Sequence, residues 1–254
     1  MNGSLRVMFA LMELEIRRLR RDRTEVYTRA VQPVLWLAVF GTVFSAVHAI
    51  LTNGVPYLDY ITPGVLLQSV IFVAVFYGLM LVWERETGIL KKLLVAPASR
   101  YATVIGRATA AGVRAIVQVV VVIPVALLLG VRFVPNPAYF VAALLILFTI
   151  AGGFAALSII VAALMKTRER FMGIGQALIL PLFFASNALY PISLMPPALQ
   201  LFAVINPLTY AVDAVRGLTI TGNVSLLPLD VGVIALFDAL LFAAASLSFR
   251  KIIE

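Results

Sequence analysis

The 254-residue chain contains no cysteine and a single histidine, His48. The first absence excludes a disulfide framework and a cysteine metal site. The second removes the His cluster or His-based catalytic pair on which much metal and acid–base chemistry depends, so no catalytic and no metal-ligating residue is assigned. His48 reads as an interfacial side chain near the end of a span. Charge is also scarce: 13% of residues are charged against 62% hydrophobic, and the mean hydropathy is +1.04. A soluble helix carries one apolar stripe, whereas residues 133–165 here contain no charge at all. The expected fold is an all-α integral membrane protein, with residues 1–254 forming a single transmembrane domain. No G-x-x-x-x-G-K-[ST] loop is present, so no cofactor is expected on this chain and any nucleotide must be held elsewhere.

Acidic residues are outnumbered, 12 against 20 Lys and Arg, a net charge of +8. Hydropathy predicts six spans, at roughly 33–51, 61–83, 108–130, 138–164, 171–190 and 229–249. With both termini cytoplasmic, all of the basic residues except Arg132 and Arg216 fall on the cytoplasmic side. The charge excess is therefore topological, as the positive-inside rule requires, and does not imply a nucleic-acid partner.

Residues 4–24 are not a cleavable signal peptide, because Glu13, Glu15 and several arginines interrupt any apolar core. Leu5, Met8, Leu11, Met12, Ile16 and Leu19 recur at helical spacing, as in an amphipathic helix lying in the headgroup plane of the bilayer. Such a helix serves as a topology anchor, a contact surface for a cytoplasmic partner, or both.

The largest cytoplasmic connection, residues 83–107, is more apolar than a linker. Glu84 and Glu86 precede Ile89, Leu90, Leu93 and Leu94, and Pro97 would stop the run, so a short amphipathic helix over 84–94 is expected. Its apolar edge suits a groove on a soluble protein; the plainer alternative is a solvated basic loop.

Residues 171–212 lack any charge yet contain Pro181, Pro191, Pro196, Pro197 and Pro207. About 20 apolar residues cross a bilayer, so this stretch predicts one span followed by a non-crossing, re-entrant segment over 191–212. Asn187 and Asn206 are placed to satisfy carbonyls that the prolines free. Asp238, halfway along the last predicted span, implies either a structural hydrogen bond or a polar spot on a pathway. Arg114 is expected at the start of the third span, snorkelling to the surface. Gly152-Gly153, with nearby alanines, offers a smooth face for close helix packing within one subunit.

Two separated motifs carry a family resemblance. The run Glu84-Arg85-Glu86-Thr87-Gly88-Ile89-Leu90, with Leu93-Leu94, Ala96-Pro97 and Ser99-Arg100, resembles the cytoplasmic loop of type-2 ABC exporter permeases. Asn187, Tyr190-Pro191, Leu194, Pro196, Leu199, Asn206-Pro207-Leu208 and Arg216 are similar to that family's segment between its last two spans. The family includes permeases for drugs such as daunorubicin, lipo-chitooligosaccharides, teichoic acids and O-antigen polysaccharides.

The resemblance implies a multi-pass subunit of the cell (inner) membrane that pairs with a second copy of itself or a homologous permease and with two copies of an ABC ATPase. ATP and Mg2+ would be bound by that partner. It implies a coupling helix formed by Glu84, Arg85, Glu86, Gly88, Ile89, Leu90 and Leu93, the acids pairing with basic residues of the ATPase. It implies an outer gate at Asn187, Tyr190, Pro191, Pro196, Asn206 and Pro207, with a purely structural plug as the alternative. Phe40, Phe44, Phe72, Phe76 and Tyr77 would line a pathway flanked by the first two spans, or simply pack; Asp238 is the polar candidate for the same pathway. The substrate implied is amphipathic: a drug or antibiotic, a lipid or a glycolipid, with polysaccharide or lipid-linked glycan as the alternative. A secondary carrier or channel would show internal repeats or several paired intramembrane charges, and a lipid-modifying enzyme a catalytic cluster at one interface; the sequence displays none of these.

Overall fold

The computed structural model describes residues 3–47, 50, 52, 54–88, 100–165 and 167–249. These form an all-helical bundle. Helix α1 is Gly3–Arg21, and Asp22 then caps α2 by accepting from the Glu25 amide at 3.2 Å. α2 covers Arg23–Leu35 and continues through a π-helical turn, Trp36–Gly41, into Thr42–Val47. It is followed by α3 (Tyr57–Glu86), α4 (Arg100–Leu128) and α5 (Pro137–Leu164). Asn136 starts α5 by accepting from the amides of Ala138 and Tyr139, and Pro137 occupies the first helical position, where a missing N–H costs nothing.

The remaining helices are α6 (Arg168–Phe184), α7 (Pro197–Ile205), α8 (Pro207–Arg216, prolonged by the π turn Gly217–Thr221) and α9 (Leu227–Ser248). Five helices among the described residues are long and apolar enough to cross a membrane: Thr24–Val47, Tyr57–Glu86, Tyr101–Leu128, Pro137–Leu164 and Leu227–Ser248. α7 and the α8 segment through Thr221 make a sixth if the pair is counted as one, although it bends by 77°.

α5 lies at the centre against α3, α4 and α9, while α1 runs along α4. Lipid offers no hydrophobic drive for helix association, so close approach depends on small side chains. α5 supplies Ala151, Gly152, Gly153, Ala155 and Ala156, all buried, and α4 supplies Ala110, Ala111 and Ala115. Gly152 faces Ala108 and Phe242, so this smooth surface serves packing within the chain. At Gly64 of α3 a Cβ would lie 2.5 Å from the Ala188 carbonyl oxygen; only glycine admits that backbone. α6 is thinly enclosed for its length. It buries only Phe171, Gly175, Ile179 and Phe183, one stripe at four-residue spacing.

Several expected boundaries shift, and each shift has a physical cause. The first apolar helix begins at Thr24 rather than 33 because Glu25 and Arg29 form an ion pair at 2.9 Å within it. Arg114 lies in the middle of α4, not at the start of a span, and is buried in ion pairs rather than snorkelling. The expected span 171–190 is the 17-residue α6, about 25 Å long at 1.5 Å per residue, and the chain turns after Phe184. The segment expected over 191–212 runs on as helix to Thr221. Glu84 and Glu86 end α3 instead of opening a separate helix; Ile89, Leu90, Leu93 and Leu94 lie outside the described residues, as do His48 and the side chains of Leu5, Met8 and Leu11.

Candidate functional site

Both acids at the foot of α3 are engaged within the chain. Glu84 is buried and meets Arg107 of α4 at 2.5 Å, and Glu86 meets Arg168 at the start of α6 at 2.7 Å. Arg85 donates to the Met165 carbonyl, and Gly88 turns the chain with φ +71°. Within the chain, then, both acids already hold an arginine, and Glu84 is enclosed. The two pairs fasten α3, α4 and α6 together at this end of the bundle.

Farther along lies a charge chain that hydropathy alone passed over. Glu15 of α1 points into the bundle and binds Arg114 at 2.5 Å; Arg114 also binds Glu25 at 2.9 Å, and Glu25 binds Arg29 at 2.9 Å. The Arg29 guanidinium then lies 4.0 Å from the centre of the Phe76 ring. Two helices of the N-terminal region are thus tied to α4 and, through Arg29, to α3. Of the apolar stripe predicted for α1, Ile16 is exposed, whereas Glu15, off that stripe, is buried.

Three adjoining cavities, all touched by Phe76, form a groove between α2, α3 and α6. The first, about 360 Å3, has Phe72, Phe76, Leu79, Phe171 and Ile179 among its walls, with Gln32 and Gln176. The second, about 260 Å3, is more polar and includes Arg29, Gln32, Gln68 and Ser69. The third, about 470 Å3, holds Arg18, Arg21, Asp22, Glu25 and Arg114. Pockets of a few hundred Å3, mostly apolar with a few convergent polar groups, are the size and character of small-molecule sites. Of the five aromatics read from sequence, Phe72 and Phe76 line this groove. Phe40 and Phe44 instead continue a stack from Trp36 toward Tyr57, with ring centres 4.5, 6.2 and 5.7 Å apart in turn. Tyr77 is buried beneath Arg114, 5.9 Å away.

At the opposite end of α3, Arg216 organises a knot. Its guanidinium donates to the Asn187 carbonyl at 2.7 Å, to the Tyr60 carbonyl at 3.3 and 3.4 Å and to Asp213 at 3.1 Å, and sits 3.9 Å from the Tyr60 ring centre. Asn187 donates to Asp213 at 2.5 Å, and the Tyr60 hydroxyl donates to the Asn187 carbonyl at 3.1 Å. Asn206 joins two helix ends. Its oxygen accepts from the Leu208 amide and caps α8, while its nitrogen donates to the carbonyls of Leu182 and Ala185 that close α6. Tyr190 donates to the Phe184 carbonyl at 2.7 Å. Pro191 precedes the short turn Ile192–Leu194, Pro196 precedes α7, and Pro207 takes the first position of α8. Asn206→Ala removes three hydrogen bonds, so a loss of about 1–2 kcal/mol of stability is expected, read as a lower unfolding midpoint in detergent.

Asp238 of α9 is buried. Among the described residues its buried Oδ1 has no hydrogen-bond partner, and its carboxylate presses against the backbone at Gly153, where any Cβ would collide with it. It is not among the residues lining the three cavities.

The family profile described as ABC-2 type transporter matches residues 6–220. This chain belongs to the ABC-2 type transporter family. The transport permease ycf38 of Cyanophora paradoxa is 31% identical over 211 residues, covering 82% of this chain and 72% of the relative. The daunorubicin resistance ABC transporter permease protein DrrB1 of Streptomyces coeruleorubidus is 28% identical over 192 residues, 74% of this chain and 66% of its own length. The doxorubicin resistance ABC transporter permease protein DrrC of Mycobacterium tuberculosis is 27% identical over 209 residues, 80% and 73% of the two chains. An ABC-2 permease is a multi-pass membrane subunit that works with an ABC ATPase. The matched stretch includes the groove helices and the Arg216 knot; α9, with Asp238, lies beyond it. The features that sequence reasoning missed were Glu15, Arg29, Gln32, Gln68 and the central role of Arg216. Only the i,i+4 spacing of Glu25 and Arg29 was a readable signal.

Proposed function

We propose that this permease is the membrane half of an ATP-driven exporter that carries an amphipathic molecule from the cytoplasm or inner leaflet outward. Two copies of the chain face one another and two copies of a separate ABC ATPase hydrolyse ATP. The observation that carries this reading is the groove between α2, α3 and α6. One wall is apolar and aromatic, one end is arginine-rich, and α6 forms its far wall.

The connection after Gly88 is the docking point for the ATPase. A pull on it reaches α3 directly, α4 through Glu84–Arg107 and α6 through Glu86–Arg168, so both walls of the groove move together. ATP shifts the population toward an outward-releasing state only as far as it binds that state more tightly. The bent α7–α8 pair is a re-entrant outer gate, and α1 lies along the inner leaflet. Both termini are cytoplasmic and the membrane is the inner one.

Affinity purification from the native host in mild detergent, with mass spectrometry, tests the core of this proposal. A stoichiometric P-loop ATPase is the expected companion; repeated isolation of a well-folded permease alone would restore the ATP-independent carrier or channel reading. The cysteine-free background permits a topology test. A cysteine at Ser225 is expected to label in intact cells and one at Glu169 only after permeabilisation, and the reverse pattern would overturn the orientation.

A further inference from the structure

We infer that the second cavity of the groove is a recognition subsite for an uncharged, hydrogen-bond-donating head group, and that the exported amphipath carries no net charge there. This rests on the groove being the pathway. Gln68 lines the cavity, is only 5% exposed, and its Oε1 has no hydrogen-bond partner. A buried amide oxygen left unpaired is costly, and a ligand hydroxyl or amide N–H satisfies it. Two further hydroxyl-bearing residues line the same cavity. The Ser69 hydroxyl spends its proton on the Leu66 carbonyl at 2.7 Å, and Thr28 spends its own on the Thr24 and Glu25 carbonyls at 3.0 and 3.1 Å, so each presents oxygen lone pairs.

The charge balance decides against an ion. No carboxylate is among the residues lining the first or second cavity, so an ammonium entering them sheds its water without a counter-charge. An anion fares no better. Arg29 is the cation of the second cavity, and Glu25 already compensates it at 2.9 Å while Phe76 covers it at 4.0 Å. The carboxylates Asp22 and Glu25 sit in the third cavity. There Asp22 is committed to the α2 cap, Glu25 to Arg29 and Arg114, and three arginines surround them. A neutral donor-bearing head over Gln68, with its apolar body against Phe72 and Phe171, satisfies the unpaired amide and disturbs none of these ion pairs.

Doxorubicin and its N-acetyl and N-succinyl derivatives share one fluorophore and differ as cation, neutral molecule and anion. Their binding to the purified permease in lipid nanodiscs is measured by fluorescence anisotropy, with empty nanodiscs subtracted. The neutral derivative is expected to bind at least about tenfold more tightly than either ion, because an uncompensated charge at membrane depth costs more than the free energy of a tenfold change. Gln68→Leu is expected to weaken binding of the neutral derivative without favouring either ion, and Gln68→Glu to transfer the preference to the amine. Equal or tighter binding of the amine or the succinate, or a preference unaltered by both Gln68 variants, would overturn the head-group assignment. Loss of binding by all three compounds in Phe76→Ala would in that case leave the groove reading intact. Binding indifferent to Phe76→Ala, or no binding by any compound, would overturn both.

Discussion

Arg114→Met is expected to destabilise the bundle by about 3–5 kcal/mol, the range for removing one member of a buried ion pair. The loss comes less from the missing attraction than from what stays behind. Glu15, with a side chain 5% exposed, is left facing the helix bundle without its cation, and Glu25 keeps only Arg29. The second-site change Glu15→Gln is expected to recover more than half of the loss, because it removes the stranded charge. Urea or thermal unfolding in detergent, analysed as a double-mutant cycle, measures both terms. Additive losses would show that Glu15 and Arg114 are not partners. A functional effect follows from the same contacts. Glu25 is shared between Arg114 and Arg29, and Arg29 covers Phe76, so loosening α1 from α4 is expected to reduce transport even where the variant remains folded.

Arg216→Met is the second large effect, expected at about 2–4 kcal/mol from the lost charge-assisted hydrogen bonds to two carbonyls, an Asp213 left without its cation and a lost cation–π contact. Arg216 is 7% exposed and holds three segments distant in sequence: the start of α3 through Tyr60, the turn after α6 through Asn187, and α8 through Asp213. Arg216→Lys keeps the charge but not the planar fork that reaches these groups at once, so it is expected to recover only part of the stability. Equal stability of the Met and Lys variants would reduce the knot to its charge. A loss below about 1 kcal/mol for Met would remove it as an organising element.

The coarse plan of the chain was legible because a bilayer is a demanding solvent. Charge-free windows such as 133–165 can only be helices at membrane depth, and α5 appears where hydropathy placed it. The breaks were legible as well. Proline cannot continue a helix without losing a hydrogen bond, and the chain does bend between Ile205 and Pro207. Charged residues were the weak point. Hydropathy counts Glu25, Arg29, Arg107 and Arg114 as reasons to shorten a span, yet each is neutralised inside the bundle and the helices run on through them. Nor does hydropathy show that Glu84 and Glu86 each meet an arginine of the same chain.

By itself the sequence determined the solvent, the helical class, the position of the apolar segments and the places where the chain must break, since each follows from local composition and backbone chemistry. The tertiary structure alone decided which charges meet, which aromatics share a groove and which amide is left without a partner. Glu15 and Arg114 are 99 residues apart and Tyr60 and Arg216 are 156 apart. No local rule links them. Their pairing depends on how helices rotate and cross once small residues allow them into contact, and that rotation separated Tyr77, beneath Arg114, from Phe76, in the groove beside it.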